Sequence, residues 1–98
     1  MEIIVNGNTY VAPKPKARAW SEIAKFDEHK SELSASEYID KHAEIIAKFF
    51  PGLTVDDILD NCDLDDILTM YYQVFLWVTK LITSKLATIK NANGDESE

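Results

Sequence analysis

Residues 64–89 read LDDILTMYYQVFLWVTKLITSKLATI, and this stretch decides the fold. Leu64, Ile67, Leu68, Tyr71, Val74, Phe75, Val78, Leu81, Ile82, Leu86 and Ile89 recur at three- and four-residue intervals, which gathers them on one broad stripe of an α-helix. At 1.5 Å per residue that helix is roughly 40 Å long, a large element for so small a chain. Asp63 sits where an N-cap belongs, and Asp65 and Asp66 follow in the first turn, where the helix dipole favours negative charge. Between Met70 and Val78 only Gln73 is polar. Met70 and Trp77 extend the stripe on one flank, and Tyr72 and Leu76 extend it on the other. A helix apolar nearly all round is either wrapped by its own domain or partly reserved for another chain. Both readings stand, and Met70, Tyr72, Leu76 and Trp77 are the candidate partner-binding residues.

Working back from this helix, Thr54 caps a short one through Cys62, with Asp56 and Asp57 in its first turn. Pro51-Gly52 stops the helix before it, which carries Ile39, Ala43, Ile46, Phe49 and Phe50 at helical spacing. That helix begins near Ser34 or Ser36, because Ser34-Ala35-Ser36-Glu37 has the form of a capping box. A first helix spans roughly Lys16 to Lys30, with Trp20, Ile23, Ala24 and Phe26 as its buried side. Ahead of it, Pro13 and Pro15 end strand pairing, since neither can donate a ladder hydrogen bond. Glu2-Ile3-Ile4-Val5 and Thr9-Tyr10-Val11 are strand-like and flank Asn6-Gly7, a dipeptide suited to a tight type I′ hairpin turn. A lone hairpin is marginal in water. One of its faces, with Ile3, Val5 and Tyr10, is therefore expected to pack on the helices or on another chain. The expected fold is mainly α: a short N-terminal β-hairpin followed by about four helices, the last one long. Residues 1–90 form a single domain in this reading, and 91–98 form a disordered acidic tail without an apolar anchor.

The composition narrows the function. The chain has 98 residues, which suits one domain, and 46% are hydrophobic, enough for one modest core. The sole cysteine, Cys62, cannot form an intramolecular disulfide, and no signal peptide or bilayer-length apolar run is visible. A cytosolic protein without membrane contact is expected. The net charge is −7, of which −6 falls on residues 51–98, and such a surface repels phosphate backbones. Nucleic acid is therefore not an expected partner. Lys14, Lys16 and Arg18, beside two prolines, read as a solvated connector.

The residues that could carry chemistry do not assemble into a site. Asn61, Asp63 and Asp65 match the first three ligand positions of an EF-hand loop. Its sixth position would then be Asp66 rather than glycine, and its twelfth Tyr72 rather than glutamate. Successive helix N-termini account for these carboxylates more simply. One cysteine and two histidines, His29 and His42, make no zinc pattern. His29 reads as a surface residue and His42 as a histidine at the edge of the apolar face. The glycines are isolated, so no phosphate loop is present, and nothing marks a nucleophile turn. No catalytic residue, cofactor or metal is expected.

The order of features resembles the tail assembly chaperones of long-tailed, siphovirus-type bacteriophages. The likeness is carried by Ile3-Ile4-Val5-Asn6-Gly7-Asn8-Thr9-Tyr10, the Trp20-bearing helix, the amphipathic middle helix, the acidic turn from Thr54 to Asp66 and the long last helix. It implies a small helical protein of the host cytoplasm that self-associates and binds the tape measure protein during tail building, with the tail tube protein as a further partner. That family has no catalytic residues to carry over. An acidic regulatory module, an inhibitor or DNA-mimicking antagonist using the second half of the chain, is the alternative reading.

Overall fold

A computed structural model describes residues 1–92, with side chains described through residue 84. Strands β1 (Glu2–Val5) and β2 (Asn8–Val11) pair antiparallel with Val5 opposite Asn8, which leaves only Asn6 and Gly7 in the turn. Both turn residues have positive φ, 52° and 79°, as a type I′ turn requires. Successive side chains alternate between the faces of a strand. Ile3 and Val5 therefore go into the core, with Tyr10 packed beside them, while Ile4 and Val11 face solvent.

Four helices follow: α1 (Ala17–His29), α2 (Ala35–Phe49), α3 (Val55–Asn61) and α4 (Leu64–Ala92), with a 3₁₀ turn at Lys30–Glu32 after α1. Local chemistry fixes two of their starts. The Ser34 hydroxyl accepts the Glu37 backbone N–H at 3.3 Å, and the Glu37 carboxylate accepts the Ser34 N–H at 3.1 Å. Thr54 and Asp57 repeat the exchange at 3.0 and 3.1 Å. Each pair satisfies two donors that a helix start would otherwise leave open. Between α2 and α3, Gly52 takes a φ of 88°, a conformation that a side chain would strain.

Helices α2 and α4 make the main helix pair, with α1 against α2 and α3 against both α2 and β1. Ile67, Tyr71, Val74 and Val78 supply α4's buried stripe, meeting Ala43, Ile46 and Phe49 of α2 and Ile23 and Phe26 of α1 in one continuous core. The expected stripe was wider than the buried one. Trp20 and Ala24 of α1, and Leu68, Phe75 and Ile82 of α4, are half-buried. Leu64 is 60% exposed because it opens α4 a turn ahead of the first buried residue of the stripe. Leu81 is 37% exposed because Val78 is the last fully buried residue of α4 among those described. The side chains of Leu86 and Ile89, and the tail from residue 93, lie outside the described residues.

This division predicts a sharp contrast between two conservative truncations in α4. Ile67→Ala, which empties a buried position, should cost about 2–5 kcal/mol in urea unfolding. Leu64→Ala, at the exposed start of the same helix, should change stability by about 0.5 kcal/mol or less.

Candidate partner-binding surface

The four candidate contact residues divide into two pairs. Trp77 is half-buried, with its ring edge-on to Phe49 of α2 at a centroid distance of 6.1 Å. Met70 is half-buried beside Ile4 and Val5 of the hairpin and Cys62. Both pack against the core of their own domain. Tyr72 and Leu76 stand 60% and 46% exposed. Tyr72 belongs to a row formed by Leu68, Tyr72, Phe75, Thr79 and Ile82, whose alternating steps of four and three residues are those of a coiled-coil seam, and Leu76 flanks it. Phe75 is braced from behind by Trp20 of α1, ring centroids 6.4 Å apart. This row runs beside the buried stripe; Tyr72 in it is exposed, while Leu68, Phe75, Thr79 and Ile82 are half-buried and Phe75 and Ile82 pack against the core.

Behind Tyr72 lies a cluster that ties three helices together. His42 is 2% exposed, which places it well inside the core rather than at its edge. Its imidazole meets Phe26 of α1 at 4.8 Å, Tyr38 of α2 at 4.6 Å and Tyr71 of α4 at 4.7 Å. Its Nδ1–H donates to the Tyr38 carbonyl at 2.6 Å, which fixes the neutral tautomer with the proton on Nδ1. The Tyr71 hydroxyl donates to Asp27 at 3.0 Å, and Asp27 also holds Lys30 at 3.2 Å. Burial, and then the Asp27 hydrogen bond, push the Tyr71 hydroxyl far above its ordinary pKa, so it stays a donor. Desolvation holds the His42 pKa below its ordinary 6.5, outweighing the Tyr38 carbonyl that favours the cation.

The remaining reactive groups look inert. Cys62 is half-buried, and burial together with Asp66 and Asp63 raises its thiol pKa, the reverse of activation. The carboxylates of Asp63, Asp65 and Asp66 lie within 4.8 Å of one another but are exposed at the start of α4. The helix dipole accounts for them there.

The hairpin's outer face, with Ile4 70% and Val11 56% exposed, escaped the candidate set. Strand alternation about the Asn6-Gly7 turn was the signal that could have found it, since it sends Ile4 away from Ile3 and Val5. No helix among the described residues is long and apolar enough to cross a membrane.

Two outcomes follow. A neutral His42 contributes stability that is complete above pH 6.5 and is lost as pH falls below it through the depressed folded value. The thermal midpoint should therefore fall between pH 7 and pH 5, and His42→Gln should flatten that fall. Calorimetric titration with calcium should give no binding at micromolar concentration; micromolar heats that vanish in Asp65→Asn would establish a real site.

Neither the curated proteins nor the solved structures compared with the chain give a significant match. Residues 7–94 match the family described as phage tail chaperone protein, from the hairpin turn through the end of α4. That span takes in every helix and the row through Tyr72 on α4, and on it the chain belongs to the phage tail chaperone family.

Proposed function

We propose that the chain is a non-enzymatic tail assembly chaperone of the host cytoplasm that self-associates and binds the tape measure protein, keeping it soluble while the tail is built. The tail tube protein is a further partner. The observation that carries this reading is the exposed pair Tyr72 and Leu76 on α4, at the outer edge of the half-buried row Leu68, Phe75, Thr79 and Ile82. A long helical protein waiting for its assembly exposes apolar stripes that would otherwise collapse on each other. A helix presenting seam-like spacing can cover such a stripe by knobs-into-holes packing. The charge of −6 on residues 51–98 would keep the coated complex in solution. An acidic antagonist is the weaker reading, because the aspartates it would use are placed at the starts of α3 and α4, where helix termini call for them.

Co-expression with the tape measure protein encoded beside it should move that partner from the pellet to the soluble fraction. Tyr72→Glu with Leu76→Glu should return it to the pellet and lower the chaperone's own molar mass in light scattering. Helical circular dichroism should be unchanged, because both side chains are exposed. Trp77→Glu differs in kind: it strikes the Phe49 contact and should unfold the domain. A double variant that still solubilises the partner would remove this face from the mechanism.

A further inference from the structure

A second open surface lies between the approach to α1 and the outer part of α4. It is a groove of about 510 Å³, walled by Pro15 and Trp20 on one side and by Val78, Leu81 and Ile82 on the other. Nine residues at about 100° each set Leu81 half a turn from Tyr72, so this groove opens away from Tyr72 and Leu76 and meets the row described above only at Ile82. Lys14 and Lys16, both exposed, form its lip, and no carboxylate lines it among the described residues. That is unusual in a chain with 17 acidic and 10 basic residues. Three other depressions among the described residues each include an acidic side chain: Glu22, Asp27 or Asp66. Lys30, Lys41 and Lys48 are each held by a carboxylate, whereas among the described residues Lys14 and Lys16 have none within ion-pair distance.

We propose that this groove docks an amphipathic helix of a partner protein whose apolar stripe is flanked by aspartate and glutamate. Leu81 and Ile82 form one wall above the buried Val78, and Trp20 forms the facing wall, so a rod-like apolar element fits along it. The two lysines then select the sign of charge beside the stripe, which in an otherwise acidic protein favours an acidic helix over a basic one. This goes beyond the chaperone reading: it adds a second surface with its own selectivity, and it holds whichever protein the face with Tyr72 and Leu76 covers.

The test uses the full-length chain carrying Trp77→Phe, so that Trp20 is its sole tryptophan, and two synthetic helical peptides. Both peptides carry the same leucine stripe, one flanked by glutamate and the other by lysine. The glutamate peptide should shift Trp20 emission and bind about tenfold tighter at low salt, the scale of two exposed ion pairs, with the gap closing as salt rises. Lys14→Glu with Lys16→Glu should invert the preference, and Leu81→Asp should abolish binding while helicity is kept. Equal affinity for the two peptides, or a preference that survives the charge reversal, overturns the proposal. It is also overturned if Leu81→Asp lowers the protein's own molar mass, since the occupant would then be a second copy. Tyr72→Glu with Leu76→Glu should leave peptide binding intact, so failure of the chaperone face and failure of this groove are read separately.

Discussion

Everything in this small domain depends on covering one side of α4. Ile67, Tyr71, Val74 and Val78 are buried on it, and with Cys62 the sole cysteine no intramolecular disulfide supplements them. Each large apolar side chain taken fully out of water contributes about 1.5–3 kcal/mol, so a handful of such positions is comparable with the net stability of a domain this size. Helix α2 supplies the main opposing face, and α1 and α3 close the sides. The hairpin survives only because Ile3 and Val5 share this core, since two strands alone would not hold in water.

Within that constraint the local devices set angles and stops. Capping boxes at Ser34 and Thr54 fix where α2 and α3 begin, and the short link at Cys62–Asp63 makes α4 follow α3 at once. The result concentrates six aspartates, from Asp56 to Asp66, along α3 and the start of α4. The row through Tyr72 and the lysine-lipped groove lie on adjoining faces of α4 further along and share Ile82. One helix therefore carries core, acidic terminus and two open surfaces.

The sequence made the local parts legible and left the tertiary parts open. Asn6-Gly7, Ser34-to-Glu37 and Thr54 each name a turn or cap through their own hydrogen-bonding chemistry, and each stands where expected. Exposure along α4 was another matter. Met70 and Trp77 on one flank and Tyr72 and Leu76 on the other are equally apolar, and periodicity cannot say which flank meets the hairpin and Phe49. Leu64 and Leu81 satisfy the same spacing as Ile67 and Val78, yet both are exposed: Leu64 opens α4 ahead of the core, and Leu81 lines the groove while Ile82 beside it packs against the core. His42 lies deeper than its polarity suggested, because Phe26, Tyr38 and Tyr71 arrive from three helices to enclose it. The Lys14–Lys16 lip read as a plain connector, since the groove exists only once Trp20 and Ile82 face each other.

The reach of α4 past Val78 has a thermodynamic side. Residues 79–92 are helical over about four turns, a length at which an isolated helix in water is marginal. This stretch stays regular by continuing a helix already nucleated in the core, with Ile82 and the Trp20 wall as its described lateral support. A partner seated there meets a ridge with little cohesion of its own, and each contact it makes also secures the helix beneath. Recognition and rigidity become one equilibrium, so the melting of this segment is linked to the concentration of whatever binds it.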